Sequence, residues 1–143
     1  MGKKEYPSYP IVRIGGIDAA IAQKLKAMRI RTTARLLEAA KSPKGRKLLA
    51  QKTGIPASVI LKWANKADLM RVKVIGDEYT NLLHAIGVGT MRKLRVGKPA
   101  QLAKRMARAN AGAAAKIVRV VPSERSIEKW VSLAKEMPLR ITY

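Results

Sequence analysis

Apolar residues recur along this chain at the spacing of helices, and no stretch alternates in the manner of a strand. From Asp18 to about Ala27, the apolar positions Ile21, Ala22, Leu25 and Met28 are separated by Gln23, Lys24 and Lys26, which predicts a first amphipathic helix. Thr32 or Thr33 can cap a second helix, ARLLEAA, expected to stop near Pro43 and Gly45. A third, RKLLAQKT, runs to Gly54. Pro56 and Ser58 then mark the start of a fourth, VILKWANKADLMRV, with Ile60, Trp63, Ala64 and Ala67 on one face. Ahead of all of them, residues 1–11 hold Tyr6, Pro7, Tyr9 and Pro10 and read as a flexible, extended arm. The pattern predicts an all-α fold.

The helical pattern is written twice. Pairing each residue with the one 58 positions later matches Ile17 with Ile75, Leu25 with Leu83, Ala27 with Ala85, Thr32 with Thr90 and Leu36 with Leu94. Apolar character is also kept at Ile14/Val72, Ile21/Tyr79, Met28/Ile86 and Ile30/Val88. The register holds without gaps through a turn, a helix face, a cap threonine and a second helix face. It predicts two copies of one unit: short turn, helix, short turn, helix. Each copy opens on a glycine-bearing stretch, IGGID at 14–18 and VKVIG at 72–76, in which Gly16 and Gly76 are the candidate hairpin-turn glycines.

Composition adds a partner to this picture. A chain of 143 residues, 48% apolar, can bury the core of one domain or two very small ones. Its 30 Lys and Arg against 9 Asp and Glu give a net charge of +21, well above the ~2–8 that keeps a small domain soluble. A field of that sign and size draws polyanions, of which nucleic acid is the commonest in a cell. The absence of cysteine excludes disulfides, thiolate metal sites and cysteine nucleophiles. The lysines of MGKKEYPSYP precede no apolar run, and no segment approaches the ~18 apolar residues of a membrane span. The expectation is a cytoplasmic protein without a membrane partner.

Several stretches carry a family resemblance: SPKGRK, KTGI, KWANKADLMRVK, GDEYTNLLHAIGVGT and IEKWVSLAKEMP. With the segments between them, over roughly residues 11–143, the chain resembles the tandem helix-hairpin-helix proteins catalogued as domain of unknown function 4332. The resemblance implies two fused helix-hairpin-helix units, about 12–70 and 71–143, in one compact helical domain spanning 12–143. That fold is shared with many proteins that bind DNA without regard to sequence. It implies no established activity.

A glycine turn leading into a helix can approach a phosphate closely and offer it unpaired amides. Here the chemistry argues against that use. Asp18 stands where the first helix begins and caps the amides a phosphate would need, while Asp77 and Glu78 open the corresponding helix of the second copy. The basic residues lie elsewhere. No acid falls between Glu78 and Glu124, whereas Arg92, Lys93, Arg95, Lys98, Lys104, Arg105 and Arg108 do, with Lys116 and Arg119 beyond them. A second acid-free stretch, 39–67, holds Lys41, Lys44, Arg46, Lys47, Lys52, Lys62 and Lys66. Lys104, Arg105 and Arg108 share one side of a helix and can follow a phosphate strand. Lys44, Arg46 and Lys47 stand beside a helix N-terminus and are the candidate phosphate contacts by local chemistry.

Other chemistries find little support. Trp63 and Trp130 sit among apolar neighbours at helical spacing and read as core, leaving Tyr6 and Tyr9 as the candidate stacking aromatics. The lone histidine, His84, has no carboxylate at metal-ligand spacing; GKP at 97–99 lacks the glycines of a nucleotide-binding loop. The sequence therefore predicts a non-enzymatic protein with no cofactor and no metal. Its expected partner is duplex DNA in the nucleoid, which it contacts through phosphates and compacts. Structured RNA of the ribosome and an acidic protein partner are the alternatives.

Overall fold

In a computed structural model that describes residues 6–143, a 3-10 turn at Ile11–Arg13 precedes eight α-helices. They are α1 (Ala19–Ala27), α2 (Thr33–Ala40), α3 (Pro43–Thr53), α4 (Ala57–Leu69), α5 (Asp77–Ala85), α6 (Met91–Arg95), α7 (Pro99–Gly112) and α8 (Glu124–Glu136). No strand forms among the described residues, and an isolated bridge joins Pro10 to Thr32. The chain is all-helical, as its periodicity predicts.

Side-chain caps set most of the starts. Asp18, Thr32, Ser42, Thr90 and Ser123 each accept a hydrogen bond from the backbone N–H three residues on, satisfying a donor that the helix itself cannot. Pro43, expected to help end a helix, instead begins one: it occupies the first turn of α3 behind the Ser42 cap, where its missing N–H costs nothing. Gly54, at φ 76°, ends α3 in the left-handed region.

The doubled pattern is also doubled in the backbone. α1 and α5 start and end 58 residues apart, as do the cap threonines of α2 and α6. Gly16 and Val74 both turn left-handed, at φ 98° and 80°, and so do Arg29 and Gly87, at 65° and 80°. The loop hydrogen bonds repeat as well. Ile14 N–H donates to Ile11 O and Ile17 N–H to Ile14 O; in the second copy Val72 donates to Leu69 and Ile75 to Val72. Ile30 donates to Leu25 as Val88 donates to Leu83.

The likeness extends further than the 58-residue register shows. Ile60, Lys62, Trp63, Ala67 and Met70 of α4 and its cap recur as Ile127, Lys129, Trp130, Ala134 and Met137 of α8 and its cap. In each set every member except the lysine is buried. The offset has grown to 67 because α7 and the segment after it are longer than their counterparts in the first copy, which is why a gapless comparison misses the match.

Two apolar clusters result. One gathers Ile14, Leu25, Leu36, Leu49, Ile60 and Trp63; the other gathers Ile75, Leu83, Leu94, Leu102, Ile127 and Trp130. Each cluster also takes in a residue from near the far end of the described chain. Tyr6, near the start, packs against the second cluster, and Ile141, near the end, belongs to the first. A buried ion pair marks the passage from α4 to the second copy: Arg71 and Asp68 approach to 2.5 Å, and Arg71 also donates to Pro138 O at 3.1 Å. Burial raises the Asp68 pKa, against the pull of Arg71.

The expected arm needs correction. Its residues 1–5 lie outside the described residues. Residues 6–11 are docked: Tyr9 N–H donates to the Thr33 hydroxyl, Thr33 N–H donates to Tyr9 O, and Ile11 is 1% exposed. Tyr6 and Tyr9 are correspondingly half-buried, with the Arg71 and Arg13 guanidinium groups 5.1 and 5.6 Å from their ring centres, rather than presented for base stacking.

Candidate nucleic-acid interface

The basic residues singled out from the sequence divide into those at the surface and those built into the fold. Lys44 and Lys47 on α3, Arg92 and Lys93 on α6, Lys98 at the cap of α7, and Lys104, Arg105 and Arg108 on α7 are exposed. Arg105 also donates to Ile86 O, which ties α7 to the turn after α5. Lys41 is half-buried and paired with Glu38 at 2.6 Å, an ion pair that helps hold the Glu38 carboxyl below its usual pKa.

Arg46 and Arg95 are spoken for by the structure. Arg46 is 5% exposed and donates to Ala40 O at 2.9 Å and to Thr142 O at 2.7 Å, stapling the segment after α8 to the end of α2. As a phosphate contact it is a misreading of sequence. It lies on the inward stripe of α3 with Leu49 and Thr53, and that i, i+3, i+7 spacing was the available signal. Arg95 is half-buried and donates to Ala134 O, Lys135 O and Met137 O, satisfying carbonyls at the end of α8.

The two glycine-bearing turns are not alike. Gly16 takes the left-handed conformation, and a Cβ there would lie 3.2 Å from Trp63 Nε1. Asp18 accepts from Ile21 N–H, occupying the α1 terminus as its sequence predicts. Gly76, by contrast, is the N-cap of α5 at φ −94°, where no glycine is needed; the left-handed position belongs to Val74. Asp77 lies 3.8 Å from Arg13 of the first copy.

Lysines that were noted only as part of an acid-free stretch turn out to be placed together with others. An open groove of about 310 Å³ runs between α4 and the turn joining α5 to α6, with Ser58, Lys62 and Asn65 on one side and His84, Gly89 and Lys93 on the other. No carboxylate lines it among the described residues. His84 is pushed down to a pKa of about 4, first by burial and then by Lys66, Lys62 and Lys93. Its Nε2 is buried without a hydrogen-bond partner. Lys66, 8% exposed, has its own pKa lowered by burial and by Lys62, with Asp77 acting in the opposite sense.

Residues 15–137 match the family described as Domain of unknown function (DUF4332). The chain belongs to this family. No curated protein and no solved structure matches it. Family membership assigns no chemistry to the groove or the basic helices. Among the described residues, no helix is long and apolar enough to cross a membrane, and no group of three or more His, Cys, Asp or Glu is placed to hold a metal ion.

Proposed function

We propose that this chain is a sequence-nonspecific duplex-DNA-binding protein of the nucleoid, built from two fused helix-hairpin-helix units and holding DNA through phosphate contacts from Lys and Arg. The observation that carries the reading is the acid-free run through α6 and α7, where Arg92, Lys93, Lys98, Lys104 and Arg108 are all exposed. Lys44 and Lys47 extend the same character to α3. The left-handed turns at Gly16 and Val74, each leading into a helix, fit the helix-hairpin-helix architecture implied by the resemblance. Contact with DNA then falls to the basic helices, because Asp18 and Asp77 stand at the mouths of the hairpins. Unneutralised charge of one sign favours backbone contacts, which position a protein on a duplex without reading its bases.

Binding to a random-sequence duplex, followed by fluorescence anisotropy across a salt series, tests this. If about 6–10 phosphates are engaged, affinity falls by ~10³–10⁵ between 50 and 200 mM salt. Lys104→Gln combined with Arg108→Gln should make the log–log salt slope shallower by about 2, one unit for each lost contact. Affinity that ignores salt would overturn the proposal, and strong preference for ribosomal RNA in competition would move it to RNA. A second reading, an adaptor for an acidic protein, draws on a separate observation. Val74 and Leu133 remain 69% and 37% exposed beside Lys73 and Lys129, in an apolar groove along α8.

A further inference from the structure

We propose that the groove between α4 and the α5–α6 turn seats a phosphate group, gripped by Lys62 from one side and Lys93 from the other. Charge balance makes the case. Lys62 and Lys66 from α4 and Lys93 from α6 all act on the His84 imidazole of α5. The acid that reaches this set from the packed elements, Asp77, acts on Lys66 and lies 3.8 Å from Arg13, and no carboxylate lines the groove. The groove is therefore an open site of one sign, where lysines from two helices converge and an anion supplies the missing counter-charge.

Its polar lining suits a tetrahedral oxyanion. Asn65, 7% exposed, accepts from the Tyr143 hydroxyl at 3.1 Å through Oδ1, which leaves its amide group as a donor. Ser58 adds a hydroxyl on the α4 side. Lysines on two different helices can each take a separate phosphate oxygen as compact point charges. The neutral imidazole adds no competing cation, and Gly89 lets the α5–α6 turn close over the His84 ring on the same wall, since a Cβ there would lie 2.8 Å from the ring. The site also spans the two halves of the chain, because α4 belongs to the first copy and the turn to the second. The phosphate has two sources. As a backbone phosphodiester it rests on the DNA-binding reading above; as a free phosphoryl group it does not.

His84 is the lone histidine, so its imidazole is a single, unambiguous NMR reporter. Inorganic phosphate titrated against chloride at constant ionic strength should shift the His84 resonances saturably and raise its pKa from about 4, because a bound anion offsets the lysine field while burial, the larger cause, continues to hold it below the ordinary value. Lys62→Gln with Lys93→Gln, both at exposed positions, should raise the apo pKa and weaken phosphate on the order of a hundredfold, tenfold per lysine, with the urea midpoint unchanged as the folding control. A linear, chloride-like response, or full phosphate affinity in the double variant, overturns the proposal. A short random duplex supplies the second arm. If it displaces phosphate and moves His84, the source is the nucleic-acid backbone. If phosphate saturates while a bound duplex leaves His84 unmoved, the seat serves free phosphoryl groups. If the duplex binds with a full salt slope and neither ligand moves His84, the groove proposal fails and the DNA reading stands.

Discussion

The two copies of the repeat run along the same backbone with different side chains at their tips. Ile14, Leu25 and Leu36 are buried in the first copy just as Val72, Leu83 and Leu94 are in the second, and a threonine caps the second helix in both. The surface positions diverge: Gly16 becomes Val74, Lys26 becomes His84, Arg29 becomes Gly87 and Arg31 becomes Gly89. Packing fixes the first set because every buried methylene matters to a close-packed core. Nothing comparable fixes the second, so the copies carry different chemistry on one scaffold. The first presents lysines and arginines around its helix–helix turn; the second presents a smooth glycine turn and a half-buried imidazole beneath lysines drawn from elsewhere.

Exchanging Lys26 and His84 probes the largest of these differences. The His84 pKa of about 4 lies below the ordinary 6.5, so the folded state holds it neutral. As pH falls below 6.5, the unfolded chain takes up a proton that the folded chain refuses until about pH 4. Stability is therefore lost across that window, by about 1–2 kcal/mol once the solvent screening of a half-buried ring is allowed for. Urea unfolding at pH 7, 6 and 5 should show this slope in the parent protein and lose it in His84→Gln; identical slopes would sink the account. His84→Lys should destabilise at pH 7 as well, by setting a permanent charge beside Lys62 and Lys93. Lys26→His, at an exposed position, should be nearly silent.

How much of this was legible in the sequence follows from what each feature depends on. Helix faces, caps and the 58-residue register are local, and the chain spells them out: Thr32, Thr90, Leu36 and Leu94 all do what their spacing predicts. The all-helical fold was legible for the same reason. Arg46 was misread because a guanidinium can be absorbed by carbonyls contributed from Ala40 and Thr142, the latter 96 residues away. Residues 6–11 resembled a tail because Tyr6 and Ile11 gain their burial from distant partners. The groove that unites Lys62 with Lys93 could not be read either, since it exists only where α4 meets the second copy.

The left-handed turns at Gly16 and Val74 offer the next comparison. Val74 is a β-branched residue at φ 80°, 69% exposed, so it carries left-handed strain with little packing in return. Val74→Gly should therefore stabilise the fold by about 1 kcal/mol, the strain relief less the added entropy of a glycine in the unfolded chain. Gly16→Val should do the reverse and more. It adds the same strain, and its Cβ meets Trp63 Nε1 at 3.2 Å, so a loss of about 2 kcal/mol is expected in urea unfolding. Equal and small effects at both positions would mean that the turns are too soft for the comparison to hold.

The smallest difference should lie in the shared caps. Thr32 and Thr90 make the same bond, accepting from Arg35 N–H at 3.2 Å and Lys93 N–H at 3.1 Å, and alanine at either site should cost about 1 kcal/mol globally. The local consequence should differ. α2 runs for eight residues against α4, whereas α6 has five, so its opening amides depend more heavily on one hydroxyl. Hydrogen exchange in Thr90→Ala should accelerate at the amides of Met91 to Lys93 beyond what the global loss explains, while Thr32→Ala should raise exchange in α2 only in proportion to global unfolding. Lys93 sits in that first turn, so loosening it also frees one jaw of the groove. Phosphate affinity should fall slightly in Thr90→Ala and stay unchanged in Thr32→Ala, which separates the cap that only holds a helix from the cap that also positions a lysine.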